Sequence, residues 1–342
     1  MADEQEQQSQ GWLTDWLPSW CPTSMSQLKA TEAKILRCIQ NTLLSYYVSL
    51  PSRNKIWTVT VNPDCHAKTP LVMVHGFGGG VGLWVQNLDA LSMHRTVYAF
   101  DLLGFGRSSR PLFSRDAEQA EEEFVQSIEE WRDVMGINKM ILLGHSLGGF
   151  LAASYSTKYP DRVKHLILVD PWGFPERPTD PTQVRSPPRW AKALMTVLGQ
   201  FNPLAVLRVA GPWGPGLVQK FRPDFKRKFA HLFEDDTIAE YIYHCNAQTP
   251  SGESAFKSLT ESFGWAKRPM LSRIHLIRKE LPITLIYGAY SWIDTNSGEE
   301  VKKQRPYSYV RTIAIDDASH HVYADQPQEF NAVVEEVCSS LD

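Results

Sequence analysis

The sequence predicts an α/β fold with a mostly parallel, doubly wound sheet and an inserted, largely helical lid. Short strand-like runs alternate with helical segments between residues 56 and 172, which is typical of a parallel sheet with helices on both faces. The pentapeptide GHSLG, residues 144–148, stands between one such strand and one such helix. Strand-like runs resume at Ile283, after a long stretch rich in Pro, Trp and Phe. That interruption predicts an insertion that covers the sheet as a lid.

The individual elements follow from local composition and periodicity. Short apolar, β-branched runs predict strands at 56–61, 71–74, 96–100, 140–143, 165–169, 283–287 and 309–315. Helical spacing of apolar residues predicts helices at 82–91, 117–134, 147–159, 190–198, 225–233 and 328–338. A capping box, Ser24-x-x-Gln27, opens an earlier helix with apolar positions Leu28, Ile35, Ile39 and Leu43. The predicted divisions are a Trp-rich segment and helix at 1–49, a core at 50–172 and 281–342, and the lid at 173–280.

Composition excludes several classes of function. The chain has 342 residues and a formal net charge of -3, so no global basic field favours nucleic acid. Its five cysteines are scattered, without zinc-ligand spacing, and are typical of reduced thiols in the cytoplasm. The first ten residues are polar and acidic, unlike a secretory signal, and no apolar run is long enough to cross a bilayer. We expect a cytoplasmic protein that is soluble or peripheral on a membrane.

Three tryptophans, Trp12, Trp16 and Trp20, recur at a spacing of four residues near the N-terminus. Pro18 and Pro22 argue against a long helix there, so a short turn would expose the rings. Because indole favours the membrane interface, the segment is a candidate membrane anchor. The alternative is a strap that packs on the main domain.

Ser146 is the candidate nucleophile. The strand–serine–helix context predicts a nucleophile elbow, in which glycines at 144 and 148 let strand and helix approach while Oγ projects outward. The alternative is a serine that merely caps the following helix.

His320 is the candidate base, because a serine hydroxyl needs one at neutral pH and His320 follows the last predicted strand. His321 is its rival, although adjacent side chains point apart. His75 and His145 are expected to organise loops by hydrogen bonding. Asp294 follows the penultimate strand and is the candidate acid, with Asp170 as the substitute.

The run HGFGGG, residues 75–80, follows the strand at 71–74 and predicts an oxyanion hole made by the amides of Phe77 and Leu147. A phosphate-binding loop is the alternative, but neither G-x-x-x-x-G-K-[ST] nor G-x-G-x-x-G occurs here. Asp325 lies five residues after His320, a spacing also found in glycerolipid acyltransferases. We expect Asp325 to support the loop that carries His320.

With these motifs assembled, the chain resembles the α/β-hydrolase family from residue 50 onward. The segments 144–150, 169–175 and 320–327 are similar to one subgroup, which contains lipases of N-acylated ethanolamine phospholipids and a co-activator of triacylglycerol lipase. The co-activator has asparagine at the nucleophile position, whereas this chain has Ser146. The resemblance implies a Ser146, Asp294 and His320 triad, and it implies that Trp12, Trp16 and Trp20 match a lipid-droplet anchor.

The same resemblance implies deacylation of N-acylphosphatidylethanolamine or its lyso form at a membrane or lipid-droplet surface, with no metal or organic cofactor. The lid offers apolar cover for acyl chains and cations for a phosphodiester; alternatively, the aromatics are the lid's own core and the cations its solvated face. The aromatics are Trp190, Phe201, Trp213, Phe221, Phe225 and Phe229, and the cations are Arg222, Lys226, Arg227 and Lys228. The other functions considered are a non-catalytic co-regulator of another lipase and a lysophospholipid acyltransferase.

Overall fold

A mixed sheet runs through the centre of the computed structural model, which describes residues 21–178, 204–261 and 264–341. Its strands are β1 (Leu43–Ser49), β2 (Lys55–Val61), β3 (Leu71–Val74), β4 (Val97–Phe100), β5 (Met140–His145), β6 (Val163–Val169), β9 (Ile283–Gly288) and β10 (Val310–Ile315). They lie in the order β1-β2-β4-β3-β5-β6-β9-β10. β2 is antiparallel to both β1 and β4, and the strands from β4 to β10 across the sheet are parallel. β7 (Thr260–Glu261) and β8 (Trp265–Ala266) form a separate small hairpin.

Helices cover both faces of the sheet. They are α1 (Met25–Leu36), α2 (Leu88–Leu91), α3 (Ala117–Val134), α4 (Leu147–Lys158), α5 (Ala205–Val209), α6 (Gly214–Phe221), α7 (Pro223–Lys228), α8 (Thr237–Asn246), α9 (Gly252–Leu259), α10 (Asn296–Gln304), α11 (Val322–Asp325) and α12 (Pro327–Ser339). In the described residues, α5 to α9 all lie in the interruption between β6 and β9. Trp12, Trp16, Trp20, Trp190, Phe201 and the predicted helix at 190–198 lie outside the described residues.

Two apolar cores flank the sheet, one on each face. Along β3, Val72 and Val74 join the core beneath α3 and α4, while Leu71 and Met73 join the core beneath α1, α2 and α12. This alternation explains why β3 is a continuous apolar run, since a parallel strand is buried on both faces. The fold therefore holds the carboxyl ends of β3, β5 and β6 rigidly beside one another.

Most of the predicted elements are confirmed. α3 has the predicted bounds, and its first turn is capped by Asp116, whose carboxylate accepts a hydrogen bond from the Gln119 amide. Ser24 caps α1 by accepting a hydrogen bond from the Gln27 amide. The sequence signals were clear in these cases because capping and hydrophobic periodicity agree.

The prediction was wrong where the helical pattern was extended to Leu43. α1 ends at Leu36, and Leu43 begins β1, whose residues Leu43–Ser49 pair with β2. The amides of Gln40 and Asn41 donate to the Asp89 carboxylate, which fixes the turn between helix and strand. A side chain far along the chain thus decided where the helix stopped.

Two further helices differ from their predicted bounds. The segment 82–91 consists of a 3-10 turn, Val81–Trp84, followed by α2. The amides of Val81 and Gly82 donate to the side chains of Asp101 and Tyr241. The helix predicted at 225–233 is α7, which begins at Pro223 and ends at Lys228. No helix in the described parts of the chain is both long enough and apolar enough to span a bilayer.

Candidate active site

Ser146 lies on a sharp turn between β5 and α4, with a φ of 53° and a ψ of -116°. A Cβ on Gly144 would lie 2.2 Å from the Gly148 carbonyl oxygen, and a Cβ on Gly148 would lie 2.5 Å from those of Val74 and His75. Only glycine fits at either position. Since the Ser146 side chain makes no capping bond to α4, the alternative interpretation of Ser146 as a helix cap is excluded.

His320 connects Ser146 to a carboxylate. Its Nε2 lies 3.0 Å from Ser146 Oγ, and its Nδ1 lies 2.5 Å from Asp170 Oδ2. This spacing fits an imidazole that donates from Nδ1 and accepts the serine proton at Nε2. The neighbouring His321 faces the lid, with its ring 4.8 Å from that of Phe225. The chain therefore brings His320 to Ser146, and His321 points elsewhere.

The carboxylate beside His320 is Asp170, and this corrects the assignment to Asp294. Asp294 is exposed and accepts a hydrogen bond from the Asn296 amide at the start of α10. Asp170 follows β6, adopts a φ of 44° and is fully buried. It also accepts hydrogen bonds from the Ser291 hydroxyl and from the Gly288 amide, the latter at 3.3 Å.

The loop after β9 helps to hold Asp170 beside His320. Ser291, three residues after Gly288, donates its hydroxyl to Asp170. The histidine loop packs tightly on the end of β9, since a Cβ on Gly288 would lie 2.2 Å from the Ser319 carbonyl oxygen. β6 and β9 are neighbours in the sheet, so either could have supplied the acid.

Burial is the largest cause of the pKa shifts of His320 and Asp170. It lowers the pKa of His320, and the cations of Arg222 and Lys228 lower it further, so the imidazole is neutral at neutral pH. Burial raises the pKa of Asp170 to about 7, against the opposing hydrogen bonds from Ser291 and Gly288. A neutral imidazole with its Nδ1 proton directed at Asp170 is the form that can accept a proton from Ser146.

His75 and His145 organise loops, as predicted. The Leu102 amide donates to His75 Nε2 at 2.9 Å, and His75 Nδ1 lies 2.7 Å from the Gly76 carbonyl oxygen. His145 Nε2 donates to the His320 carbonyl oxygen at 2.9 Å. Burial lowers the pKa of His145 to about 3. Both rings are therefore neutral, with hydrogen bonds that fix the loops on either side of Ser146.

The loop after β3 is held against the nucleophile. A Cβ on Gly76 would lie 2.9 Å from Ser146 Cβ, so this glycine allows the close approach. Among the described residues, the amides of Phe77 and Leu147 have no hydrogen-bond acceptor. Leu147 is the first residue of α4, where backbone donors are free of helical partners. Both amides are thus available to an oxyanion bound at Ser146.

Asp325 supports the histidine loop and does not contact the His320 ring nitrogens. Its Oδ2 accepts hydrogen bonds from the Ser319 amide at 2.9 Å and from the Ser319 hydroxyl at 2.7 Å. The lid residue Lys228 lies 3.2 Å from Asp325 Oδ1, and its ammonium donates to Ser319 Oγ. Lys228 also pairs with Asp224, and its side chain is only 5% exposed. The lid is therefore attached directly to the residue that precedes the base.

Aromatic side chains form a wall beside the loop that follows β3. The ring of Phe77 lies 4.5 Å from that of Phe256 in α9, and the ring of Phe256 lies 4.7 Å from that of Trp172. Trp292, which is 71% exposed, lies 5.0 Å from the His320 ring. This wall is suited to an acyl chain or another apolar group.

The predicted lid residues divide into two groups. Phe225 and Phe229 are buried in the core that also contains the apolar residues of α1 and α12, whereas Trp213 and Phe221 are about 70% exposed. Three of the four predicted cations pair with carboxylates: Arg222 and Lys228 with Asp224, and Lys226 with Asp236. Neither interpretation of the lid fits in full, because Phe225 and Phe229 belong to the main core, not to a core of the lid alone, and Lys228 is buried, not solvated. In the described ranges, no three His, Cys, Asp or Glu side chains are grouped as metal ligands.

Sequence reasoning missed Ser291 and Lys228 as supporting residues. The Ser291 hydroxyl belongs to no distinctive sequence pattern. Lys228 lies within a basic run that looked solvent-exposed. The one available signal for Asp170 was its place after β6, at the same sheet edge as Ser146.

Comparison with known proteins identifies the family of this chain. The model of the family described as the alpha/beta hydrolase fold matches residues 69–327. The (lyso)-N-acylphosphatidylethanolamine lipases of Bos taurus and Homo sapiens are 74% and 73% identical to this chain over 342 residues, covering all of each chain. The protein named 1-acylglycerol-3-phosphate O-acyltransferase ABHD5 from Homo sapiens is 58% identical over 349 residues, again covering all of both chains.

Solved structures with low sequence identity share the same fold. A membrane phospholipase A described as a bacterial virulence factor matches with a TM-score of 0.64 and 20% identity, covering 93% of this chain and 91% of its own. The naproxen esterase of Bacillus subtilis matches with a TM-score of 0.63 and 18% identity, covering 91% and 97%. The fold, the match of the family model and the full-length relatives together show that this chain belongs to the alpha/beta hydrolase family.

Proposed function

We propose that this chain is a serine lipase that deacylates N-acylphosphatidylethanolamine and its lyso form to glycerophospho-N-acylethanolamine, a precursor of N-acylethanolamines. The observation that carries the proposal is the continuous series of contacts from Ser146 through His320 to Asp170. The substrate class comes from the relatives that are 73–74% identical over their full length and are named for it. The aromatic wall of Phe77, Phe256 and Trp172 supports an acyl substrate.

The first half-reaction forms an acyl enzyme. His320 Nε2 takes the proton from Ser146 Oγ as the oxygen attacks the ester carbonyl carbon. The amides of Phe77 and Leu147 donate to the resulting oxyanion, and Asp170 stabilises the imidazolium. His320 then gives its proton to the departing glycerol oxygen, the carbon–oxygen bond breaks, and the acyl group remains on Ser146.

The second half-reaction returns the free enzyme. His320 takes a proton from water, which attacks the acyl carbonyl carbon through the same oxyanion site. The bond to Ser146 Oγ then breaks, the serine recovers its proton from His320, and the fatty acid leaves. Every proton moves between Ser146, His320, water and the leaving group, so this route uses no metal or organic cofactor.

The strained conformation of Ser146 favours catalysis over a scaffold function. A non-glycine residue at a φ of 53° is energetically costly, and such strain is typical of functional sites. A non-catalytic co-regulator of another lipase would have no need for that serine beside a neutral imidazole. The relative named as an O-acyltransferase motivates acyl transfer as a second candidate, in which a lysophospholipid replaces water as acceptor.

We also propose a cytoplasmic location at the surface of a membrane or lipid droplet, where the phospholipid substrate resides. The candidate anchor is the segment with Trp12, Trp16 and Trp20. Replacing all three by Ala should lower vesicle binding and leave turnover of a soluble ester unchanged. Unchanged vesicle binding would favour the alternative, a strap packed on the domain.

Product analysis by mass spectrometry tests the proposed reaction. The full chain and its Ser146→Ala variant are incubated with a mixed panel of phospholipids and lysophospholipids, with Asp294→Asn as a control. We expect loss of N-acylated ethanolamine phospholipids and release of glycerophospho-N-acylethanolamine with the parent and the control only. Equal hydrolysis by the Ser146→Ala variant would refute the mechanism, and new acylated phospholipid without free fatty acid would favour acyl transfer.

A further inference from the structure

A cavity of about 520 Å³ lies beside α9, and none of the active-site residues lines it. Its wall comes from a loop after β4, the start of α9, the outward face of that helix and one residue after β8. The lining residues are Pro111, Leu112, Phe113, Arg115, Pro250, Ser251, Ser254, Lys257, Ser258 and Lys267. The volume is large enough for a lipid headgroup.

The lining of this cavity is positively charged. Arg115, Lys257 and Lys267 contribute cations, and no Asp or Glu belongs to the wall. The carboxylates directly beside lining residues in the sequence have other partners, since Asp116 caps α3 and Glu253 pairs with Arg208. Serine side chains complete the wall, and the Ser258 hydroxyl donates to the Ser254 carbonyl oxygen. The Lys267 ammonium donates one hydrogen bond to the Ser258 carbonyl oxygen and keeps two further donors. Clustered cations are groups that recognise a phosphate.

An apolar side chain projects from the rim of the cavity. Leu112 is 100% exposed. The loop that carries it is fixed at both ends: the Ser251 hydroxyl donates to the Pro111 carbonyl oxygen at 2.5 Å, and the Phe113 ring lies 4.5 Å from that of Phe124. A leucine held wholly in water next to a cationic cavity has no role in the core, whereas it would be favourable among acyl chains.

The cavity and the candidate active site lie at the same end of the parallel strands. The loop of the cavity follows the carboxyl end of β4, at the sheet edge where Ser146, Asp170 and His320 follow β5, β6 and β10. α9 separates the two places, with Lys257 facing the cavity and Phe256 facing the aromatic wall. A lipid surface at this cavity would therefore lie next to the proposed acyl site.

We infer that the cavity and Leu112 together form a docking site for a membrane that contains anionic phospholipid. A lipid phosphate group occupies the cavity beside Arg115, Lys257 and Lys267, and Leu112 inserts among the acyl chains. This surface goes beyond the proposed reaction, because it determines where the enzyme binds and leaves the chemistry at Ser146 unchanged.

Vesicle sedimentation of the full chain tests the inference, with vesicles of phosphatidylcholine alone or mixed with phosphatidylserine. The test variants are Leu112→Ser and the double variant Lys257→Gln/Lys267→Gln. The matched controls are Leu276→Ser, at a half-exposed leucine, and Lys302→Gln/Lys303→Gln, which removes the same charge from the surface of α10. Turnover of a soluble short-chain ester is measured in parallel for every variant.

The double lysine variant should partition about 25-fold less onto the anionic vesicles, roughly fivefold for each cation, and equally well onto phosphatidylcholine alone. Leu112→Ser should lower partitioning about tenfold on both compositions, while both controls and the ester turnover stay unchanged. Partitioning of the test variants equal to that of their controls would overturn the inference. So would a parallel fall in ester turnover, because the cavity would then belong to the substrate site. Vesicle binding does not require Ser146, so failure here leaves the proposed reaction standing.

Discussion

The choice between Asp170 and Asp294 gives the sharpest prediction about the mechanism. Asp170→Asn should lower kcat for ester hydrolysis by about a thousandfold or more. Asparagine has almost the same shape and tolerates a positive φ, so it fits the backbone conformation at this position, where φ is 44°. The substitution therefore tests the carboxylate with little disturbance of the turn.

The size of this loss in kcat follows from the three groups that donate hydrogen bonds to Asp170. They are His320 Nδ1, the Ser291 hydroxyl and the Gly288 amide. If the asparagine nitrogen faces His320, it meets a ring nitrogen 2.5 Å away that already carries a proton. The imidazole must then hold its proton on Nε2 and present a donor to Ser146. If the amide is reversed, its nitrogen meets the Gly288 amide donor at 3.3 Å, and a buried donor loses its acceptor. A thousandfold loss corresponds to about 4 kcal/mol of transition-state stabilisation.

The assay is steady-state hydrolysis of a soluble ester, with Asp294→Asn measured beside it. That control should stay within about twofold of the parent, because Asp294 is exposed and only helps to start α10. Circular dichroism and thermal melting verify that both variants fold. Near-normal kcat for Asp170→Asn together with a large loss for Asp294→Asn would refute the assignment of the acid.

Three further substitutions give predictions that can be tested separately. Lys228→Met removes a cation near the base, so the pKa of the imidazole rises and the acid limb of the kcat/KM profile moves about half a unit to higher pH; Lys226→Met should leave the profile in place, and a shared shift would show a general charge effect. Ser291→Ala removes one hydrogen bond to the acid and should lower kcat about tenfold without a change in KM; an unchanged kcat would contradict its positioning role. Gly148→Ala should lower the free energy of unfolding by about 2 kcal/mol or more, because the new Cβ would lie 2.5 Å from two carbonyl oxygens. Gly216→Ala, with no atom within 4 Å, should melt no earlier than the parent.

Much of the fold could be predicted because its signals are local. α3 combines a capping aspartate with a regular apolar stripe, and β3 and β5 are short apolar runs beside glycine-rich turns. The error at Leu43 came from a contact that no local pattern contains, the hydrogen bonds from Gln40 and Asn41 to Asp89. Long-range side chains decide such boundaries.

The nucleophile and the base of the candidate site could be predicted from the sequence, whereas the acid could not. Ser146 and His320 each follow a strand in a distinctive motif, and the structure brings them within 3.0 Å. The acid was not decided by sequence, because β6 and β9 are adjacent parallel strands and both end in a loop with an aspartate. The contact of His320 Nδ1 with Asp170 and the exposure of Asp294 distinguish the two loops. The cationic cavity was also unpredictable, since its lining comes from separate segments of the chain.

Covalent labelling at the nucleophile tests the central claim most directly. The purified chain is treated with a fluorophosphonate probe, and the adduct is located by mass spectrometry of its peptides. We predict one adduct, on Ser146, formed by the parent and by Asp294→Asn, and formed much more slowly by Asp170→Asn and by His320→Ala. No adduct on Ser146, or equal labelling rates in all four proteins, would contradict the account of a serine activated by His320 and Asp170.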